Sequence, residues 1–296
     1  MLENLVALGM AAAALTVMTP TPFALQEAAA VMTRDDLSYG RDIRQMLTLY
    51  RVAGNERAPL IVYIHGGGWI AGDRGAGGRE KPPHFTALGY AYATIGYRLV
   101  PQVRVEDQIA DVARGIAWLR ANARRYGIDP DRIVLMGHSS GAHLAAMLAT
   151  DPRYLRAARV PFDAVKAAVL IDGAGYDVPR TMETSPGVMR FYGPAFGPNR
   201  ARQMELSPIN HTAAPNVRAW LMLYDYNRPG AGGEAQAFAD RLNAAGADTI
   251  VTGVMDSSHM LLNEQLGVYG DYATNAVDMF LNANVRHDGG LIPIND

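Results

Sequence analysis

The sequence predicts an α/β protein with a mostly parallel sheet and helices on both faces. Three observations carry that expectation. Apolar runs of strand length alternate along the chain with segments of helical periodicity. The runs are apolar almost throughout rather than at every second position, the pattern of strands buried on both faces. The 296 residues, 49% hydrophobic and 19% charged, suffice for a full core, and no repeat, low-complexity tract, charge run or linker divides them. Residues 1–296 therefore read as a single domain.

The balance of 27 basic and 29 acidic residues gives a net charge of -2. That lacks the excess needed to grip a phosphate backbone or anionic lipid, which argues against nucleic acid as a partner. The absence of cysteine excludes disulfides, thiolate metal sites and a thiol nucleophile, and leaves the compartment open. Residues 1–37 form an N-terminal apolar segment. "LVALGMAAAALTVM" is long enough for the core of a signal peptide, and "AAA" at 28–30 would suit a peptidase. The leading part nevertheless carries Glu3 and no lysine or arginine, which favours an alanine-rich helix against the domain, and a cytoplasmic location, over an exported, cleaved form. The run is too short for a stable membrane span.

Seven strands follow in order: "MLTLYRV" (46–52), "PLIVYIH" (59–65), "AYATIGY" (91–97), "RIVLMG" (132–137), "VKAAVLID" (165–172), "VRAWLMLY" (217–224) and "DTIVTGV" (248–254). The clearest helix has Val105, Ile109, Val112, Ile116 and Leu119 on one face, with "YGIDP" as its stop. Residues 176–216 break the alternation: rich in proline, glycine and aromatics, they read as a lid or cap insertion rather than a solvated connection.

"GHSSG" (137–141) lies between a strand and a small-residue helix. A serine at such a corner stands clear of the core, glycines to either side let the backbones approach, and the helix behind it directs amide hydrogens at developing negative charge. Ser139 is the predicted nucleophile. "HGGGW" (65–69) follows another buried strand, and three successive glycines have their use in exposed amides. Gly67 and Gly68, with Ser140 as a third donor, are the predicted oxyanion hole, each donor worth roughly 3 kcal/mol of barrier. His65 and Trp69 brace that loop. A phosphate loop is excluded, because neither G-K-[ST] nor the G-x-G-x-x-G spacing is present.

Together "HGGGW", "YRLVP" (97–101), "YGIDPDRIVLMGHSSGAHLAAML" and "SSHMLLNEQLG" resemble the α/β-hydrolase superfamily over residues 38–285. The similarity is to hormone-sensitive-lipase-like carboxylesterases and their arylformamidase-like and feruloyl-esterase-like relatives. The resemblance implies an α/β-hydrolase fold with an eight-stranded, mostly parallel sheet and a serine–histidine–acid triad in that chain order. It also implies hydrolysis of short acyl esters without a cofactor. Ser140 stands where relatives mostly carry alanine, a change that keeps the backbone donor.

Of seven histidines, His259 is the predicted base, because the last long strand delivers it to the same sheet edge as the elbow and relatives place theirs before a helix. His65 and His138 belong to the two loops, His143 faces into its own helix, and His84, His211 and His287 have no strand delivering them. No pair has a metal-ligand spacing. The acid is expected in "YDYNRPG" after the sixth of these strands. Asp225 is the choice, with Asn227 occupying the usual position when the "RP" is aligned and Asp256 as a further alternative. The predicted function is a serine carboxylesterase for short-chain or aryl esters, its partner a small-molecule ester. An arylformamidase-like amide hydrolase and a catalytically impaired binding protein are the alternatives. Met189, Phe191, Tyr192 and Phe196 line an acyl pocket or pack locally, and a homodimer is left open.

Overall fold

A computed structural model describes residue 21 and residues 32–54, 56–77 and 79–285. Eight strands form one sheet: β1 (Met32–Ser38), β2 (Met46–Val52), β3 (Ala58–Ile64), β4 (Ala91–Ile95), β5 (Ile128–His138), β6 (Val165–Ile171), β7 (Ala219–Asp225) and β8 (Asp248–Val254). Their order is β1-β2-β4-β3-β5-β6-β7-β8, with β2 running against both its neighbours and every other pair parallel. The expected fold class is borne out. Residues 32–37, counted from the sequence with the N-terminal apolar segment, instead form β1. Its charged "MTRDDLS" pairs only with β2 at the sheet edge, so no apolar pattern announces it. The expected helix or signal within residues 1–31 lies outside the described residues.

The helices are α1 (Lys81–Ala87), α2 (Val105–Ala121), α3 (Ala123–Tyr126), α4 (Ser140–Thr150), α5 (Pro152–Ala157), α6 (Val178–Thr184), α7 (Met189–Phe196), α8 (Arg200–Glu205), α9 (Pro229–Ala244), α10 (His259–Glu264) and α11 (Tyr272–Val285). The predicted face of α2 is buried at all five positions, and Gly127 ends the following α3 in a left-handed conformation. Alternate residues of the central strands supply two cores. Leu60, Val62, Ile64 and Leu135 pack with Ile109, Val112 and Leu144. On the opposite face Ile61, Tyr63, Val134 and Met136 pack with Phe85, Val277 and Leu281. Burial on both faces explains why these strands read as continuous apolar runs.

Residues 176–216 fold over the C-terminal edge of the strands as α6, α7, α8 and two short 3-10 turns. Tyr176, Val178, Tyr192, Phe196 and Leu206 are buried and continuous with the first core. The segment is packed structure, not a solvated connection.

Candidate active site

At the end of β5 the chain turns straight into α4 through Ser139, whose φ of 55° and ψ of -123° are a strained conformation for a residue with a side chain. The flanking glycines are sterically forced. A β-carbon on Gly137 would lie 2.3 Å from the Gly141 carbonyl oxygen, and one on Gly141 would lie 2.1 Å from that of Ile64. The Ser139 amide donates to the Ile171 carbonyl at the end of the neighbouring strand (3.0 Å), which leaves its hydroxyl turned toward the loops above the sheet.

His259 opens α10, which is capped by Ser258 accepting from the Leu261 amide (3.2 Å). Its Nε2 lies 3.0 Å from Ser139 Oγ, and its Nδ1 donates to Asp172 Oδ2 at 2.5 Å. The structure thus joins Ser139 to His259, as predicted, but the carboxylate it brings is Asp172 rather than Asp225. Asp172 leaves β6 with a φ of 40°, which swings its side chain sideways along the sheet edge to the imidazole. Asp225 remains in β7 and is occupied locally: its carboxylate accepts the Asn227 amide (3.0 Å), and its own amide donates to Asp172 Oδ1 (3.1 Å). Asn227 and Asp256 are exposed, and the ring nitrogens of His259 meet neither. Burial raises the Asp172 pKa, but the His259 hydrogen bond, the Arg228 charge and the Asp225 amide outweigh it and hold the carboxyl below its ordinary value.

Two further groups touch the imidazole residue. His138 Nε2 donates to the His259 carbonyl oxygen at 2.8 Å, with the two rings 4.6 Å apart. Burial, then the His259 charge, pushes His138 down to about 3, so it stays neutral and holds the His259 backbone. Arg228 Nη1 bonds Asp172 Oδ2 and lies 2.8 Å from His259 Nδ1. Neither contact has a signal in sequence beyond proximity to a motif. Asp172 does have one: a carboxylate at the end of the strand next to the one that leads into Ser139, followed by "GAG".

The glycine loop meets the elbow directly. A β-carbon on Gly66 would lie 3.0 Å from Ser139 Cβ and 2.9 Å from the His138 carbonyl oxygen. Gly67 has a φ of 128°, and its carbonyl accepts the Ile70 and Ala71 amides at 3.3 and 3.0 Å. Gly68 lies under the Phe191 ring, with 2.6 Å between a β-carbon there and Cδ1. Among the described residues no backbone acceptor takes the Gly67, Gly68 or Ser140 amide in a turn or loop. His65 stacks on Tyr97 at 4.2 Å, and the Tyr97 hydroxyl donates to the His65 carbonyl (2.7 Å). Trp69 donates its indole hydrogen to His143 Nδ1 (3.2 Å) while His143 Nε2 donates to Leu206 O (2.7 Å). The indole also meets Tyr192 and Phe196 edge-on at 5.0 and 4.7 Å. Tyr192 and Phe196 therefore brace Trp69, whereas Phe191 faces the glycines and Met189 is exposed.

The remaining histidines lie elsewhere. His84 pairs with Asp278 at 2.8 Å in the core, and His211 Nε2 donates to the Glu205 carbonyl (2.7 Å). His287 lies outside the described residues. Ligand atoms of Asp151, Glu205 and His211 lie within 4.8 Å of one another, a spacing the sequence does not foretell. Arg153 bonds both carboxylates and already supplies their countercharge. Among the described residues no helix is long and apolar enough to cross a membrane.

Comparison with solved structures matches esterase B of Lactobacillus rhamnosis at a TM-score of 0.68 and 21% identity, covering 86% of this chain and 88% of that one. The native esterase 2 of Thermogutta terrifontis matches at a TM-score of 0.66 and 23% identity, covering 89% and 95%. The fold is the α/β-hydrolase fold. The model of the BD-FAE family matches this chain over residues 47–173, the span from β2 to the residue after Asp172. Among curated proteins it is 29% identical to the esterase LipQ of Mycobacterium tuberculosis over 260 residues, 83% of this chain and 61% of LipQ. It is 36% identical to the isoprenylcysteine α-carbonyl methylesterase of Arabidopsis thaliana over 114 residues, 38% and 26% of the two chains. The chain thus spans about three-fifths of LipQ and less of the second relative. The resemblance drawn from the sequence motifs, to carboxylesterase-type hydrolases, is borne out.

Proposed function

We propose that this protein of α/β-hydrolase fold is a serine carboxylesterase for short-chain or aryl esters, with Ser139, His259 and Asp172 as its triad. The single observation that carries the reading is the chain of contacts from Ser139 Oγ to His259 Nε2 (3.0 Å) and from Nδ1 to Asp172 (2.5 Å). A buried carboxylate on Nδ1 selects the tautomer whose Nε2 is free to accept a proton. His259 takes the Ser139 proton as Oγ bonds the ester carbonyl carbon, and negative charge gathers on the carbonyl oxygen. The unengaged amides of Gly67, Gly68 and Ser140 would donate to that oxyanion. The tetrahedral intermediate collapses as its C–O bond breaks, and His259 returns the proton to the departing alcohol. Water then attacks the acyl-enzyme by the same route, with His259 again the base. No step calls on a cofactor.

Residues 176–216 act in this reading as a cap, with Phe191 closing the acyl side over Gly68. The complete acid–base–nucleophile set disfavours the impaired binding protein. The test is hydrolysis of p-nitrophenyl acetate and butyrate, with N-formylkynurenine as the amide competitor. Ester turnover that Ser139→Ala reduces by at least about a thousandfold supports the proposal. Faster cleavage of the formamide, or ester turnover surviving Ser139→Ala, overturns it.

A further inference from the structure

The link between β7 and α9 brings a cation to the acid of the proposed triad. The Arg228 amide donates to the Asp225 carbonyl (2.8 Å), which fixes the root of the side chain. Its Nη1 reaches Asp172 Oδ2 and stands 2.8 Å from His259 Nδ1. The guanidinium is 41% exposed and the carboxylate it meets is fully buried. An arginine has only donors to offer, and an Nδ1 that donates to Asp172 has no lone pair left to accept with. Arg228 and His259 are therefore two donors sharing one oxygen. Once His259 takes the serine proton they become two like charges in contact, each competing for the same carboxylate.

We infer that Arg228 is a positioning residue that acts through Asp172 and sets the lower pH limit of the reaction. The inference rests on the esterase reading of this site. By occupying Oδ2, Arg228 weakens the hold of Asp172 on the imidazolium at low pH. It also keeps Asp172 ionised there, and both effects push the acidic limb of the rate profile the same way. The other charged or titratable groups facing His259 do not cancel this. His138, at the end of β5, is neutral. Lys81 of α1 bonds the Asn263 carbonyl on α10, and Glu264 lies near that ammonium. Asp225, from β7, offers Asp172 its amide. Asp256, in the loop before α10, is exposed.

The test is kcat/KM for p-nitrophenyl butyrate across pH 4 to 9 in the wild type, Arg228→Met and Arg228→Lys. In parallel, the His259 imidazole is titrated by NMR without substrate. Removing the cation in Arg228→Met is expected to move the acidic limb and the imidazole titration upward by about half a pH unit or more. The plateau should change less than about tenfold, and Arg228→Lys should recover most of the shift. An unmoved limb, a downward shift, or an equal shift in the lysine variant overturns the inference, as does lost activity with an unchanged profile, the mark of a merely structural residue. Arg228→Gln replaces the methionine variant if that fails to fold. A wild type that turns over no ester defeats the esterase reading, while the NMR titration still decides what Arg228 does to the imidazole.

Discussion

Asp172 and Asp225 differ by one strand and by what their carboxylates touch. Asp172 holds an imidazole, and Asp225 holds the turn that follows it. In the proposed triad Asp172→Asn leaves a neutral amide on Nδ1 and is expected to lower kcat by about 10⁴ with the fold retained, whereas Asp225→Asn should lower it less than about tenfold. Steady-state kinetics with circular dichroism on both variants checks this, and equal losses would count against the assignment. Sequence makes Ser139 and His259 legible because each sits where a strand gives way to a helix, and that junction leaves a pattern. The acid leaves no comparable pattern. Any carboxylate at the C-terminal edge of β6 or β7 qualifies, and the choice between them turns on the backbone angle of Asp172, which no residue type in "LIDGAG" dictates.

Among the elements, the glycine loop depends most on its neighbours. Trp69 holds it by donating to His143 of α4, by meeting Tyr192 and Phe196 of α7, and by its carbonyl, which accepts from Gln108 of α2 at 2.7 Å. Truncation in Trp69→Ala should cost about 3–5 kcal/mol in urea denaturation. In the proposed mechanism it should also lower kcat more than it raises KM, since the proposed oxyanion donors lose their brace before the substrate loses its pocket. A variant destabilised to that extent but with unchanged kcat would show that α7 and the loop are energetically separate. The central strands were legible because both faces are buried, β8 because its run is apolar although its residues are mostly half-exposed, and charged β1 was not because it is specified by pairing with β2 alone. The helices of residues 176–216 are short, interrupted by Pro186, Pro194 and Pro208, and fixed by contacts with Trp69 and the first core, none of which has a local periodicity.

At the scale of the whole molecule, buried titratable groups shape stability. Burial, as the largest cause, pushes His65 and His143 down to about 4 and His138 down to about 3. Between pH 6.5 and those values the unfolded chain binds protons that the folded chain refuses, so stability falls as pH drops, by up to about 1.4 kcal/mol per pH unit for each group. Burial lowers Lys81 to about 7, against an ordinary 10.5, so stability rises as pH climbs between those limits. Tyr63 and Tyr97 are pushed up by burial, and above about pH 10 only the unfolded chain ionises them, which reverses the trend. Urea midpoints measured from pH 4 to 11 should therefore peak between about pH 8 and 10. Lys81→Met should flatten the rise from pH 7, and a peak near pH 5 would contradict this account.

The amide of Ser139 is bonded to the residue preceding Asp172, so the proposed attacking group and its anion ride on adjacent rungs of one ladder. The crossing from β7 to α9 is thereby relieved of carrying an indispensable carboxylate. If the proposed esterase reading and the inferred role of Arg228 hold, rewriting residues 226–228 is a route to retuning the working range in acid while the chemistry stays in place.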